Sequence, residues 1–550
     1  MNFILPLLIS LTGTILFTPF LINYLLKYNF VDEPGERKVH DQSIPRIGGI
    51  IIYAAIILNI FLFIKDLSSM RMILLGSFII IMCGIMDDIL DLSWKIKIAL
   101  QSAAAICILS YFSPTIHNIY LFGIDIPFPL SYVFLFVFAV GCINSINFID
   151  GLDGLASGYS LVFFFTMLIL GIVSHNIILL IISTIFIGSL IGFLKYNAFP
   201  AKIFLGDTGS LILGYFIVFS AFTLVVNIEP VFDLTIPIIL LSISLIDTLK
   251  IIVVRLYRKR SPFQADRNHL HHLLLGLNIR HKLVVFFIIG MSLGFSAISI
   301  YYIYFSKFIG LLIFVAANIV LLFGQYYIKT SSLEESKNFM QGLVIVPKIV
   351  KRNFTKVFIP LSVLIVFVYI MLCMPFNSGL DKKVIVTLLV SELSLLVAAT
   401  LNKKKTGIIN DLYIFVNFII FFTFSHFSST FSTIIKKVLI IDLFTNYSLI
   451  SILLLVVFFV MARHKILLEK ISFLSGLDLI FSIVVCTSFI MNVLLQNVII
   501  NTLSLILISS FIIYLWYKLV SIFNDRYIKW VYYTSFALPT ISLLTLLLVQ

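Results

Sequence analysis

Apolar stretches of bilayer length recur from one end of this chain to the other. A helix needs about 20 such residues to cross the hydrocarbon core, where only helices and closed barrels satisfy their own backbone. Runs of this kind lie near 3–25, 47–64, 71–86, 96–111, 130–148, 155–174, 177–196, 209–226, 233–254, 283–304 and 307–328. Seven more lie near 357–375, 384–401, 408–426, 447–462, 471–492, 498–518 and 530–549. The expected fold is an all-α polytopic membrane protein, a bundle of about 11 helices followed by about seven further transmembrane helices. The polar stretch KTSSLEESKNFMQGLVIVPKIVKRNFTK reads as a linker. It sets an expected division into a membrane domain over 1–330, a cytoplasmic linker over 331–356 and a C-terminal transmembrane domain of unknown function over 357–550.

The rest of the composition removes competing classes. With 61% hydrophobic and 11% charged residues and a mean hydropathy of +1.14, no soluble domain is available to carry the net charge of +13 to a nucleic acid. In a membrane protein such an excess reports topology. Alternate loops bear it out: Lys27 to Arg46, Lys95 and Lys97, Lys195 and Lys202, Arg255 to Lys282, and Lys348 to Arg352 fall on one face, opposed by little beyond Lys65, Arg71 and Lys307. The positive-inside rule makes the first face cytoplasmic and puts the N-terminus outside. The N-terminal run lacks a basic region and a small-residue cleavage site, so it reads as a first span rather than a removed signal. Cysteines 83, 107, 142, 373 and 486 show no paired spacing, which points to neither a disulfide framework nor a zinc site.

Five polar segments fall on the cytoplasmic face. The stretch NSINFIDGLDGLASG lies between two apolar runs and spaces Asn147, Asp150 and Asp153 three apart. A continuous helix there would put all three on one face; Asn, Asp and Gly equally favour a helix-ending turn. MDDILDLSWK places Asp87, Asp88 and Asp91 directly after a span. Neighbouring carboxylates repel unless a cation or a shared proton relieves them, so the pair suits a divalent metal or a general base, or else a solvated helix end. In KYNAFPAKIFLGDTGS, Asp207 can cap the next helix or hold Mg²⁺ beside a pyrophosphate, with Asn197 and Lys202 as polar neighbours. VDEPGERKVHDQSIPRIGGI offers His40 and Arg46 to a phosphate or simply carries topological charge. RLYRKRSPFQADRNHLHHLLLGLNIRHK supplies Arg260, Arg267, His269, His271 and His272. Hydrogen bonding to phosphate fits these histidines better than zinc, because no cysteine lies nearby. Acids with cations and no obvious Ser or Cys nucleophile suit Mg²⁺-assisted phosphoryl transfer, in which positioning and charge stabilisation dominate.

Taken together, VDEPGERKVH…PRIGG, GIMDDILDL, NFIDGLDGLASG, FLGDTGS and RSPFQADRNHLHH resemble the polyprenyl-phosphate N-acetylhexosamine-1-phosphate transferases, over residues 1 to about 330 and in the expected order. The ending SPFQADRNHLHH resembles the bacterial branch that uses UDP-GlcNAc. The resemblance implies a helical bundle with a cytoplasmic cleft in the bacterial plasma membrane, and a homodimer. It implies Mg²⁺ (with Mn²⁺ as a possible substitute) on Asp207, and Asp87 and Asp88 as the acidic pair near it, one of which deprotonates the lipid phosphate. Asn147, Asp150 and Asp153 would line the catalytic and uridine pocket, Asn197 would meet the nucleotide, and His269, His271 and His272 would lie near the phosphates and sugar. The implied reaction joins UDP-GlcNAc and polyprenyl phosphate into polyprenyl-pyrophosphoryl-GlcNAc and UMP, the first membrane step of a surface-glycan pathway. In-line attack is the expected route, and a covalent aspartyl-phosphate through Asp87 or Asp88 is the other. Another UDP-N-acetylhexosamine, or a lipid-linked-sugar transporter or scaffold, is the alternative reading.

Overall fold

The computed structural model describes residues 4–32, 43–116, 118–228, 232–257, 259, 269–277, 279–330 and 514. Compact units meet at 337/338, and the account below concerns the first. The expected linker and, apart from Tyr514, the expected C-terminal transmembrane domain, together with His40, Arg260 and Arg267, lie outside the described residues.

Helices α1 (Ile4–Lys27), α2 (Gly49–Phe63), α3 (Arg71–Leu90), α4 (Trp94–Phe112), α5 (Leu130–Ile149), α6 (Leu155–Val173), α7 (Ile177–Asn197) and α8 (Gly206–Ile228) follow in order. Then come α9 (Thr235–Leu240), α10 (Ser242–Tyr257), α11 (Leu270–Gly276), α12 (His281–Tyr304) and α13 (Lys307–Thr330). All eleven apolar runs of the first part are helical, and among the described residues nine helices are long and apolar enough to cross a membrane. Two runs depart from a single full-length span. The run at 47–64 forms only the 15-residue α2. The run at 233–254 is two helices, because Leu241 leaves helical geometry at the C-terminus of α9 and its N–H turns back to Pro237 and Ile239.

The bundle is built round α6, α7 and α8, whose spanning windows are 78%, 83% and 83% buried, against 22% for α1 and for α13. Lipid is as apolar as these side chains, so close packing rather than water exclusion holds the centre. Phe164 stacks on Phe186 at 4.1 Å between ring centroids, and Phe186 meets Phe216 at 5.2 Å. Backbones approach most closely round the start of α8. A side chain at Gly49 would collide with the backbone of Gly209, and one at Gly84 with that of Thr208.

Short strands finish both ends of the bundle. β1 (Val31–Asp32) pairs antiparallel with β2 (Ile44–Pro45). Beyond β2, Pro45 O accepts from Phe204 N–H (2.8 Å), while Gly48 and Gly49 N–H bond Phe204 O and Leu205 O (3.1 and 3.0 Å). That short ladder brings the first polar loop to the turn preceding Asp207. At the opposite end β3 (Ile119–Leu121) pairs with β4 (Ile124–Ile126) and, in parallel, with β5 (Phe232–Asp233).

Candidate active site

Asp207 sits in the first turn of α8, after Gly206 turns the chain at φ +72°. The first N–H groups of any helix lack partners inside it. Here they find a carboxylate from α3: Asp88 accepts from Asp207 N–H (3.0 Å), Thr208 N–H (2.9 Å) and Thr208 Oγ1 (2.6 Å). Asp207 therefore does not cap its own helix. Asp88 does so from α3, and the Asp207 carboxylate is left to other partners.

That carboxylate accepts from Asn147 Nδ2 (2.7 Å), which also donates to Ser210 Oγ (2.8 Å). Its other oxygen is paired with the Lys97 ammonium. Lys97 also donates to Asp87 Oδ2 (2.6 Å), whose second oxygen accepts from Leu92 N–H (3.0 Å). Two carboxylates thus share one cation. Asp91 ends α3 in the left-handed conformation (φ +47°), which an aspartate tolerates, so it terminates the helix rather than joining the pair.

The three-spaced residues at the end of α5 do not share a helical face. α5 stops at Ile149, Asp150 is its C-terminal cap, and Gly154 turns the chain at φ +76° into α6. Only Asn147 reaches Asp207. Asp153 accepts from Ala201 N–H (3.0 Å), and its own N–H donates to His281 Nε2 (3.2 Å). The Asp150 carboxyl is pushed well above the usual carboxylate range by burial first, then by the charges of Asp207, Asp88 and Asp153.

The remaining expected residues form a border. Asn197 is buried, accepting from Ser157 Oγ (3.0 Å) and donating to Ile203 O (3.0 Å), so both ends of its amide are engaged within the chain. Lys202 is exposed on the same turn, and Arg46 is half-buried two residues before Gly48. His269 precedes α11, its ring 5.6 Å from Phe148 and stacked at 5.7 Å on His271. His271 lies against Gly151, where any side chain would strike its ring, and His272 packs on it at 4.2 Å. Burial, followed by the charges of His272 and His269, pulls His271 down to about 3, so it is neutral near pH 7.

Three further residues join this site that the sequence pattern passed over. Lys97 reads in the chain as topological charge beside Lys95. The helical register of α4 separates them, setting Lys95 over the Trp94 ring (5.8 Å) and Lys97 toward α3. Asp247 lies in the middle of an apolar run, where an acid is itself a signal. His281 stacks on Phe199 at 4.5 Å.

The donor set fits a hard divalent cation. Asp87 and Asp207 direct carboxylate oxygens at one centre of positive charge, and Mg²⁺ is usually held by one or two carboxylates completed by water and substrate phosphates. Among the described residues no group of three or more His, Cys, Asp or Glu is arranged to hold a metal alone.

The profile of "Glycosyl transferase family 4" matches residues 70–225, which take in both acidic segments and Asp207. The chain is 34% identical over 360 residues to the "Probable undecaprenyl-phosphate N-acetylglucosaminyl 1-phosphate transferase" of Bacillus subtilis (strain 168), covering 64% of this chain and 98% of that protein. It is 31% identical over 298 residues to the "Undecaprenyl-phosphate alpha-N-acetylglucosaminyl 1-phosphate transferase" of Thermotoga maritima, covering 54% of this chain and 89% of that one. It is 30% identical over 302 residues to the "Phospho-N-acetylmuramoyl-pentapeptide-transferase" of Caldicellulosiruptor bescii, covering 52% and 93%.

Proposed function

The chain belongs to glycosyl transferase family 4, and from that footing we propose that it transfers N-acetylglucosamine 1-phosphate from UDP-N-acetylglucosamine to undecaprenyl phosphate. As a multi-pass membrane glycosyl-1-phosphate transferase it must bring a soluble nucleotide to a lipid-embedded acceptor, and a polar cleft at one end of the bundle suits that task. The observation that carries the reading is the cluster at that end in which Lys97 bridges Asp87 and Asp207 while Asn147 donates to Asp207. The charge bias of the loops supports a cytoplasmic cleft and an outside N-terminus. A homodimer rests on the family resemblance.

In this reading an oxygen of the lipid phosphate attacks the sugar-linked phosphorus. A new P–O bond forms, the bond to the bridging oxygen breaks, and its electron pair leaves on UMP. Magnesium, with manganese as its substitute, would supply Lewis-acid stabilisation of the pyrophosphate charge when held by Asp207 with Asp87 beside it. Asp88 spends its oxygens on the start of α8, so Asp87 is the member of the pair left to take a proton from the acceptor. Asn147 fixes the rotamer of Asp207, and Lys97 counters charge that grows on the phosphates as the bonds exchange. Neutral His271 can exchange hydrogen bonds with the sugar phosphate but carries no positive charge to it. Lys202 and Arg46 would meet the nucleotide's phosphates from the border.

The test is transfer of label from UDP-[¹⁴C]GlcNAc to undecaprenyl phosphate by detergent-solubilised protein, with Mg²⁺ or with EDTA, for wild type and Asp207→Ala. A Mg²⁺-dependent labelled lipid with one UMP released per transfer, lost in the variant, is the expected result. A wild type that labels no lipid from UDP-GlcNAc but does so from another UDP-N-acetylhexosamine would overturn the donor. No product from any of them would overturn the reaction.

A further inference from the structure

Asp247 is a buried acid in α10, within a largely apolar stretch that also carries Lys250, and nothing in the proposed reaction uses it. A charge kept in such surroundings is expensive unless paired and hydrogen-bonded. Its carboxylate is fully engaged. Oδ2 meets His269 Nδ1 at 2.9 Å, Oδ1 accepts from Leu270 N–H at 3.1 Å, and Lys250 Nζ donates to Oδ1 at 2.8 Å. Lys250 in turn donates to Gln325 of α13, itself buried. A row of polar groups, buried at Gln325, Asp247 and His269 and half-buried at Lys250, therefore runs from α13 through α10 to the first residue of the histidine segment.

The far end of that row is directional. With Nδ1 committed to a carboxylate, an imidazole has its orientation set and offers Nε2 to whatever lies beyond. The ring plane is fixed as well, between Phe148 and the parallel face of His271 at an interplanar angle of 8°. His271 in turn rests on Gly151 beside Asp150. A residue needed only to start a seven-residue helix could be any short acceptor. It would need neither a lysine behind it nor a histidine nitrogen in front. The geometry points to Asp247 as a positioning residue that aims His269 at the substrate phosphates, with Lys250 and Gln325 holding the carboxylate from behind. This rests on the transferase reading proposed above.

The experiment is a double-mutant cycle on the full chain, with Asp247→Asn, His269→Gln and both together. Transfer from UDP-GlcNAc to undecaprenyl phosphate is resolved into kcat and KM, and thermal melting is followed in parallel. The expected loss for Asp247→Asn is about 10- to 100-fold in kcat, the range for removing a partner that orients a functional histidine. Its KM for UDP-GlcNAc should stay within about threefold, because the loss falls on the transition state. The double variant should be no slower than His269→Gln alone, since an orienting residue has nothing left to orient. Losses that multiply, or an Asp247→Asn that turns over like wild type, would overturn the assignment. Should Asp247→Asn not fold, the same cycle is run with Asp247→Glu, which keeps the charge and displaces it by one methylene. A wild type that makes no lipid product removes the transferase reading and this assignment with it. An active wild type with a multiplicative cycle removes only the assignment.

Discussion

The two ends of the bundle treat buried carboxylates in opposite ways. Near β5, Asp233 is 3% exposed and its charge is closed off by the chain. It accepts from Tyr302 Oη at 2.9 Å and Thr235 N–H at 3.0 Å, and Lys307 lies 3.5 Å away. One acid meets donors and a cation from three neighbouring segments, and nothing is left over. At the other end Asp87, Asp88, Asp150 and Asp207 lie within electrostatic reach of one another, and a single lysine is shared by two of them. Folding alone gives no reason to gather like charges in this way. Asp233, which the chain neutralises far from the site, is architecture. Acids that the chain crowds together are arranged for a charge that arrives with the substrate or the metal.

The sharpest way to break that contrast is the same substitution at each end. Asp207→Asn should cut turnover by roughly 1000-fold or more, the scale of removing a group that meets developing charge, while leaving melting close to wild type. Asp233→Asn should do the reverse. It should lower stability by about 1–3 kcal/mol through the weakened buried hydrogen bonds, with turnover per folded molecule unchanged. Steady-state transfer assays and thermal melting of both variants decide it, and a melting loss at Asp207 equal to that at Asp233 would erase the distinction. Lys97→Met probes the crowded end from the cationic side. Turnover should fall by about 10- to 100-fold. The melting temperature without divalent cation should also drop, while the rise produced by Mg²⁺ should grow, because the ion then relieves a repulsion the lysine had screened. An unchanged Mg²⁺-induced shift would mean that Lys97 and the metal do not address the same carboxylates.

How far the chain could be read in advance follows the same division. Spans were legible because bilayer crossing is a matter of length and hydropathy, and every apolar run of the first part is helical, nine of them at span length. The break at Leu241 was not, because an apolar run looks the same whether or not it bends. At the site, acids stood out against an apolar background. Their division of labour did not: Asp87 and Asp88 are adjacent in sequence, yet one pairs with Lys97 and the other caps α8, a contact set by Gly84 lying beneath Thr208. Lys97 was hidden among charges that any cytoplasmic loop carries. Asp247 was visible as an acid in the middle of an apolar run, but its meaning required the fold to bring His269 against it. Asn147, Asp150 and Asp153 fitted one helical face or a helix-ending turn equally well, and the structure has the turn, with Gly154 at its end.

Asp150 sharpens the comparison at a smaller scale. Its carboxyl is held well above the ordinary range by burial and by Asp207, Asp88 and Asp153, so it opposes folding once the unfolded chain would ionise. Asp150→Asn should therefore raise the melting temperature by a few degrees near pH 7 while impairing turnover, a trade expected where strain serves a site. The sign can be checked by titration. A carboxyl whose folded pKa exceeds its unfolded value weakens the fold as pH rises past about 4, so the gain from the substitution should shrink as pH falls toward that value. A gain independent of pH between 4 and 7 would trace the effect to packing.

The smallest effect runs the other way. His271 is pulled down to about 3 by burial and by its neighbouring histidines, below the value near 6.5 it has in an unfolded chain. The unfolded state then binds a proton that the native state refuses. The contribution to stability is complete above pH 6.5 and is lost progressively as pH falls toward 3. Wild type should lose melting temperature faster than His271→Gln between pH 7 and 4, since glutamine carries no proton to refuse. Asp150 and His271 meet across the same Gly151 turn with opposite pH slopes, so each partly masks the other in the wild type. Only the difference curves of the two variants separate them. A His271→Gln curve parallel to wild type would mean that His271 takes up a proton in the native state as readily as in solvent. The ring would then not be held against Gly151, and the histidine segment would be as open to water as an ordinary cytoplasmic loop.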